Sequence, residues 1–507
     1  MTDLSLLHDR DLSTTEQVAE EVLVDLNLDQ VLDALFPGPG QDELRTVFRH
    51  LLPDAAAVQY RLDVFRDLDD DEVHRRLDSF GRSLRGVDKR VATAATTDPT
   101  YEWHERVWLL EAMTTYVDAV VGLTQCLQRR HVRSLALTRL RDHLVDYCAT
   151  PTFQDLASGT ARVREALSGV AFGLRIEGER VTVGPALGGE DFAAEVRGVL
   201  APFLPRDEDE TAEQRRQHHA RITPLEARAV RLVVRQSPEP FQALAAHCAR
   251  HATFVDPVLL RVADEAEFYL AVRRLTDPLV AEGMPRCYPE LVAEDQATTV
   301  RDGHDLALAL TGAGVVGNDV VTEGLERQLV VTGANQGGKT TFARMVGQLH
   351  HLAAIGMPVP ATTAHVRLVD AVHTHFEGPE ELADEEGRLV ADLRRLDRIL
   401  RRASPRSVVI LNELFSSTSY ADARDLGHRV LHHLSEVGAL TVFVTFVDEL
   451  ATTGPQTVSL VAQVMDDDSG RRTYRVVRQP PVGVAHADAL ARRHGLGHDQ
   501  VVARVRS

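Results

Sequence analysis

Residues 333–341 read Gly333-Ala334-Asn335-Gln336-Gly337-Gly338-Lys339-Thr340-Thr341, which fits the pattern G-x-x-x-x-G-K-T of a phosphate-binding loop. Residues 329–332 before them form a short apolar run typical of a buried parallel strand, and residues 342–352 after them have helical periodicity. Glycines let backbone N–H groups surround a phosphate, and the positive end of the helix dipole faces the same anion. The order strand, loop, helix therefore predicts a site for ATP or GTP.

Lysine occurs at two positions of the 507-residue chain, Lys89 and Lys339. A compact ammonium on a flexible stem reaches between phosphate oxygens, where a planar guanidinium is too bulky. The presence of one of the two lysines in this loop favours nucleotide binding, with Thr340 directing its hydroxyl to Mg²⁺. The alternative is a glycine-rich strand-to-helix turn that holds no ligand.

The second candidate element is residues 407–413, an apolar strand that ends in Asn412 and Glu413. Nucleotide hydrolases hold Mg²⁺ and orient the attacking water at the end of such a strand. The pattern alone is weak, because many sheets contain an apolar strand followed by two polar residues. It follows the glycine-rich loop by roughly 70 residues in the right strand context, so the two elements together predict one hydrolytic site.

The composition is that of an ordinary globular protein, with 44% hydrophobic residues, a mean hydropathy of -0.16 and a net charge of -19. A chain of this length is too long to pack around a single hydrophobic core, so we expect about two to four domains. No apolar run approaches the roughly 20 residues that span a bilayer, and the start lacks a signal-peptide pattern, so we expect a cytoplasmic protein without a membrane partner. The negative charge argues against a surface broadly adhesive to nucleic acid, but it leaves room for a local basic groove.

Two regions of different pattern predict two domains. Residues 1–294 are mostly helical, with a β-hairpin near residues 171–183. Residues 295–507 alternate strands and helices, which predicts a mainly parallel sheet covered by helices, the α/β fold of a P-loop ATPase domain. The predicted elements after the loop are strands at 366–369, 407–411, 440–444, 458–464 and 474–477, and a last helix at 485–493. His350 and His351 are predicted on the surface of the helix that follows the loop.

Three motifs in chain order resemble those of MutS-type DNA mismatch-repair ATPases. Residues 333–341 are similar to the family's G-x-N-x-G-G-K-[ST]-[ST] loop, which is narrower than the general phosphate-loop pattern. Residues 412–422 resemble its D-E-x-x-x-G-T-S-x-x-D segment, and residues 441–450 resemble its F-x-T-H-x-x-E-L strand end. The helical half resembles the family's core and lever region more diffusely, at residues 61–68 and 285–291.

This resemblance implies an enzyme that binds ATP with Mg²⁺ and hydrolyses it. The residues implied to contact the phosphates and the metal ion are Gly337, Gly338, Lys339, Thr340 and Asn412. Glu413 is implied as the general base for the attacking water, and Ser419 as a contact to the γ-phosphate of the opposite subunit. A homodimer joined through the ATPase domain would then complete the sites, and its output would be the handling of DNA in mismatch repair or recombination.

Two departures from the family pattern touch the chemistry. Asn412 stands where the family has aspartate, which removes a negative charge beside Mg²⁺ but leaves a carbonyl oxygen as a hard ligand. Phe446 stands where the family has a histidine thought to sense the γ-phosphate. We also expect the N-terminal mismatch-reading domain of the family, with its F-x-E wedge, to be absent. These features leave a second hypothesis open, a nucleotide-gated dimerisation module that scarcely hydrolyses ATP and acts on protein partners.

Overall fold

A computed structural model describes most of the chain. The described residues are 4–9, 17–94, 101–177, 180–185, 224–294, 296–376, 388–416, 418–464 and 472–481. They form two compact units, the first within residues 1–69, 133–136 and 268–507, and the second within residues 70–132 and 137–267. Residues 17–69, which the sequence pattern assigns to the helical region, belong to the first unit. The predicted helix at 485–493 lies outside the described residues.

Helices dominate the first half of the chain, and further helices alternate with the strands of the second half. The helices are α1 (Glu20–Asp25), α2 (Leu28–Leu35), α3 (Asp42–Arg49), α4 (Ala55–Asp67), α5 (Asp71–Ala94), α6 (Glu102–Arg129), α7 (Leu135–Ala149), α8 (Pro151–Ser168), α9 (Pro224–Gln236), α10 (Pro238–Arg250), α11 (Pro257–Ala281), α12 (Leu306–Leu310), α13 (Lys339–Ala354), α14 (Arg388–Arg402) and α15 (Tyr420–Val437). The hairpin expected near residues 171–183 corresponds to β1 (Phe172–Glu177) and β2 (Arg180–Pro185), which pair antiparallel.

The longest helix of the second unit is α6. Within the described part of the chain it alone is long and apolar enough to cross a membrane by length and composition. It packs against α5, α8 and α10 of the same unit, and its apolar side chains Met113, Tyr116 and Val120 are fully buried there. Such burial is typical of the core helix of a globular unit.

A six-stranded sheet forms the centre of the first unit. Its strands lie in the order β12-β11-β6-β10-β9-β8. They are β6 (Gln328–Gly333), β8 (Val372–His375), β9 (Val408–Asn412), β10 (Leu440–Val444), β11 (Thr457–Val464) and β12 (Arg472–Arg478). Neighbouring strands are parallel except for β12, which pairs antiparallel with β11 at the edge. Strands β9 and β10 are buried at every position, as expected of apolar strands with helices on both faces.

A second, four-stranded sheet lies in the same unit, in the order β3-β7-β4-β5. Its strands are β3 (Glu290–Val292), β4 (Thr299–Gly303), β5 (Asn318–Val321) and β7 (Thr363–Arg367). The prediction of a parallel-sheet strand at 366–369 was therefore wrong in position and in sheet. Strand β7 pairs antiparallel with β4, whereas the true neighbour of β9 is β8, which includes His373 and His375.

Helix α13, which follows the glycine-rich loop, is buried along nearly its whole length. It contacts strands of both sheets, among them β9, β10 and β4, and it also bonds to the Leu26 and Phe48 carbonyls of the N-terminal segment. The prediction that His350 and His351 lie on the surface was wrong, since their exposed fractions are 1% and 0%. Burial lowers the pKa of each imidazole to about 4, so both rings are neutral at pH 7, which makes their burial tolerable.

Candidate functional site

The glycine-rich loop joins the carboxyl end of β6 to the first turn of α13. Gly333, Gln336 and Gly338 have φ angles of 108°, 60° and 96°. Such left-handed positions suit glycine, and they bend the backbone so that successive N–H groups converge on one point. The Gly337 N–H donates to the Ala334 carbonyl at 3.1 Å, which closes the loop on itself. Left-handed positions and a tight turn at the start of a helix are the backbone features expected of a phosphate-binding loop.

Two of the glycines are also required by close packing against strand β11. A Cβ atom added at Gly333 would lie 2.8 Å from the Ala462 carbonyl oxygen, and one added at Gly337 would lie 3.0 Å from the Ala462 Cβ. The first distance is shorter than real Cβ atoms show, and a Cβ at Gly337 would also lie 2.9 Å from the Ala334 carbonyl oxygen. The small side chain of Ala462 thus forms the floor on which the loop rests.

Lys339 lies at the start of α13 with 5% of its surface exposed. Its ammonium donates hydrogen bonds to the Gly333 carbonyl at 2.9 Å and to Asn335 Oδ1 at 3.1 Å. These are neutral acceptors on the loop itself. A phosphate oxygen bound in the loop would be a stronger, charged acceptor for the same ammonium.

Thr340 and Asn412 meet across two elements that are 72 residues apart in the chain. The Thr340 hydroxyl donates to Asn412 Oδ1 at 3.0 Å. Asn412 is the last residue of β9, and the parallel arrangement brings the end of β9 to the same edge of the sheet as the end of β6. Thr340 and Asn412, the two Mg²⁺ ligands predicted from the sequence, thus lie within hydrogen-bond distance of each other.

Glu413 follows Asn412 in a left-handed conformation, with a φ angle of 54°. Its N–H donates to the Val444 carbonyl at 2.9 Å, which fixes the backbone at the end of the sheet. Phe415 two residues on also has a positive φ, 66°, and its ring is fully buried. Positive φ at two non-glycine residues costs on the order of 1–3 kcal/mol each, and such conformations concentrate at functional sites. The Glu413 carboxylate forms no hydrogen bond or ion pair with the described residues, so it is available to a ligand.

Ser419 and Phe446 lie on the exposed border of this edge. Ser419 is the N-cap of α15, where its hydroxyl oxygen accepts from the Asp422 N–H at 3.2 Å. Phe446 is 43% exposed, and its ring lies 6.1 Å from that of Tyr420, which is 47% exposed. The Tyr420 hydroxyl donates to Glu449, and this hydrogen bond holds the pKa of the Glu449 carboxylate below its usual value. The ring of Phe446 cannot donate a hydrogen bond, unlike a histidine at that position.

Tyr474 lies beside the glycine-rich loop, although its sequence pattern predicted only a strand at 474–477. A Cβ atom added at Gly338 would lie 3.5 Å from Tyr474 Cα, and the Tyr474 side chain is 52% exposed beside the loop. Asn318 holds this part of β12 in place, since its amide donates to the Tyr474 carbonyl at 3.2 Å and its Oδ1 accepts from the Val476 N–H at 2.7 Å. The sequence alone could not place Tyr474 at the glycine-rich loop, because that position depends on the pairing of β12 with β11.

The oxygen atoms at this edge fit the coordination that Mg²⁺ requires. Mg²⁺ binds few protein ligands and keeps phosphate oxygens and waters as its other ligands. The Thr340 hydroxyl and Asn412 Oδ1 are two hard oxygens 3.0 Å apart at the loop. Both are neutral, so most of the charge that attracts the ion has to come from a bound phosphate.

Comparisons with known proteins find a family match that includes this site. A family model described as MutS domain V matches residues 329–485, which contain the loop, Asn412 and Glu413. The chain is 30% identical over 256 residues to the DNA mismatch repair protein MutS 2 of Halobacterium salinarum, a match that covers 48% of this chain and 30% of that protein. It is 32% identical over 232 residues to the DNA mismatch repair protein MutS of Syntrophobacter fumaroxidans, covering 45% and 25% of the two proteins. Residues 329–485 thus belong to the MutS domain V family.

The likeness to MutS proteins is confined to part of each relative. A third relative, the MutS protein of Methanosarcina acetivorans, is 34% identical over 167 residues, which is 32% of this chain and 18% of that protein. The chain therefore spans less than a third of the length of these curated relatives. The resemblance of the loop and strand motifs to MutS is confirmed by the position of the matched region.

Proposed function

We propose that this chain binds and hydrolyses ATP in a P-loop fold and uses the nucleotide to control its grip on DNA, in mismatch repair or recombination. The observation that supports this most directly is the meeting of Thr340 and Asn412, 3.0 Å apart, beside a left-handed glycine loop with a buried lysine. Phosphate-binding amides, an ammonium and two metal-binding oxygens then converge on one edge of the sheet. The match of residues 329–485 to MutS domain V supports ATP as the nucleotide and DNA as the partner.

ATP would be held mainly through its phosphates. The backbone of Gly337 and Gly338 and the first turn of α13 would receive the β-phosphate, and Lys339 would exchange its loop carbonyls for β- and γ-phosphate oxygens. Thr340 and Asn412 would hold Mg²⁺, which supplies charge neutralisation when bound. The Tyr474 backbone lies beside Gly338 and its side chain is 52% exposed, so its ring would be available to stack on the adenine base.

Hydrolysis would be attack by water on the γ-phosphorus, with cleavage of its bond to the β–γ bridging oxygen. The Glu413 carboxylate, which has no partner in the described chain, would orient the water and accept its proton. Its position at the end of β9, next to Asn412, keeps it near the phosphate that the loop holds. The positive φ of Glu413 is a backbone strain of the kind that concentrates at functional sites.

Replacing Asn412 with aspartate should tighten the binding of Mg²⁺ in the presence of ATP by about 10-fold, because a carboxylate adds a negative charge to a hard oxygen ligand. We expect a lower Mg²⁺ concentration at half-maximal ATP binding, measured by isothermal titration calorimetry at fixed ATP. Gln30→Glu, which adds one negative charge at an exposed position of α2, is the control and should leave the Mg²⁺ requirement unchanged. An unchanged requirement in Asn412→Asp would remove Asn412 from the metal site.

Binding to DNA tests the output of the site. We expect the protein to bind duplex, mismatched or branched DNA with an affinity that changes when ATP is added and that falls steeply with salt. Fluorescence anisotropy with labelled DNA of each kind, at several salt concentrations and with or without ATP, measures both effects. No salt-dependent binding to any of the three DNAs would contradict the proposal that DNA is the partner.

A second function remains specifically supported by Asn412 and Phe446. The loss of a carboxylate and of a hydrogen-bonding ring at the site favours a module that holds ATP, dimerises and acts on a protein partner with little turnover. Ser419 would then contact the nucleotide of a second copy without a need for rapid hydrolysis. ATP-dependent dimerisation without DNA binding, measured by light scattering, favours this second function.

A further inference from the structure

The site has a neighbour that nucleotide hydrolysis does not explain, a buried carboxylate on the N-terminal helix α1. The Asp25 side chain is 13% exposed. Its Oδ2 accepts from the Thr374 hydroxyl of β8 at 2.6 Å and from the Arg395 guanidinium of α14 at 2.5 Å. Arg395 also approaches Glu21, at 3.4 Å, so one turn of α1 binds both elements.

The backbone of Asp25 contacts the helix that begins at the nucleotide loop. Arg344 Nε donates to the Asp25 carbonyl at 2.9 Å, and the Arg344 guanidinium lies 5.4 Å from the ring centroid of Phe376, just after β8. Arg344 is four residues after Thr340, so the two side chains lie on the same face of α13 one turn apart. The Asp25 carbonyl therefore contacts Arg344, which lies one helical turn from Thr340, the residue that bonds to Asn412.

These contacts link α1, β8, β9 and α13 next to the site. Strand β8 pairs with β9, whose last residue is Asn412, and Asp25 bonds β8 and α13 at once. A shift of α13 relative to β8 would change the Thr340–Asn412 distance of 3.0 Å. A misplacement of about 1 Å in a catalytic site lowers turnover by up to ~100-fold.

We propose that Asp25 is a positioning residue for the nucleotide site, which fixes α13 against β8 and α14 and passes the nucleotide state of the loop to helix α1. This proposal depends on the proposed function, because it requires a nucleotide at the loop. It assigns residues 17–49 a role in the response of the site to ATP. Burial is the largest influence on the Asp25 carboxyl and raises its pKa, while the hydrogen bond from Thr374 and the charge of Arg395 oppose that rise, as expected of a carboxylate held in place by its partners.

Hydrogen–deuterium exchange with and without the magnesium complex of AMP-PNP tests the proposal in the full chain. In the wild type, nucleotide should slow exchange in the first turns of α13 and in α1. Asp25→Asn keeps an oxygen for Thr374 but loses the charge that binds Arg395. We expect this variant to retain protection of α13, to lose most of the protection of α1, and to show turnover about 10-fold lower with the dissociation constant for nucleotide within about 3-fold of wild type.

Two further variants make the result interpretable. Asp33→Asn removes the pair between Asp33 and Arg45, 2.5 Å apart in the same N-terminal segment and remote from β8 contacts, and should behave as wild type. Thr374→Val removes one hydrogen bond and leaves the ion pair, and should lower turnover by about 3-fold in the same direction. It carries the test if Asp25→Asn does not fold.

The outcomes separate this proposal from the one it depends on. Protection of α13 without any response of α1 in the wild type overturns the positioning role and leaves ATP binding intact. Turnover of Asp25→Asn or Thr374→Val equal to that of Asp33→Asn does the same. No response of either helix, together with no retention of ATP, overturns both proposals.

Discussion

Replacing Lys339 with methionine should abolish measurable retention of ATP by the purified protein. Methionine keeps the length and apolar body of the side chain but removes the ammonium that would contact the β- and γ-phosphates. Hydrogen bonds to charged groups contribute about 1.5–3 kcal/mol each, so the loss of two predicts an affinity at least ~100-fold lower. Equilibrium dialysis with labelled ATP and Mg²⁺ measures the change directly.

The chain supplies its own control for this experiment. Lys89 is the other lysine and is exposed on α5 in the second unit. Lys89→Met changes the net charge by the same amount and should retain ATP like the wild type. The thermal stabilisation by ATP provides a second readout, because a ligand at 100 times its dissociation constant stabilises the folded state by about 2.7 kcal/mol. Equal retention of ATP by both variants would refute the phosphate-loop interpretation.

The second large effect is expected from Glu413→Gln, which should lower ATP turnover by at least ~100-fold while ATP binding is preserved. Glutamine has the same shape and tolerates the same backbone conformation, but it cannot accept the proton of the attacking water. General bases contribute typically ~10²–10⁴-fold to a rate. Release of inorganic phosphate under saturating ATP measures turnover, and equilibrium dialysis measures binding in the same preparation.

Glu436→Gln is the matched control for Glu413. Glu436 is an exposed residue near the end of α15, and its replacement should change neither turnover nor binding. If Glu413→Gln turns over ATP as fast as the wild type, Glu413 is not the base. If the wild type itself binds ATP without turnover, the holding module described under the second function is favoured.

The local part of the site could be predicted from the sequence because its determinants are local. The glycine pattern, the apolar run before it and the helical period after it specify β6, the loop and α13 within a few residues. The strand predicted at 407–411 is β9, and the one predicted at 440–444 is β10. Both are continuous apolar runs, which are typical of strands buried on two faces.

The parts that could not be predicted depend on distant segments. Nothing near His350 and His351 indicates burial, because the residues around them are distant in the chain: the Phe48 carbonyl lies 3.0 Å from His351 Nε2, and His350 lines a small cavity with Arg367 and Leu440. The sheet to which residues 363–367 belong is set by pairing with β4, some sixty residues earlier, and not by their own apolar pattern. The place of Tyr474 beside Gly338 depends in the same way on Asn318.

The contacts between residues 25–48 and α13 have a consequence for how the protein folds during its synthesis. These residues are synthesised some three hundred residues before the helix that they contact. Contacts of such sequence separation form slowly, and apolar surfaces that wait for them are prone to association. The nascent N-terminal segment must therefore stay unpaired until translation is well advanced, and a nucleotide cannot assist folding before the loop itself has emerged.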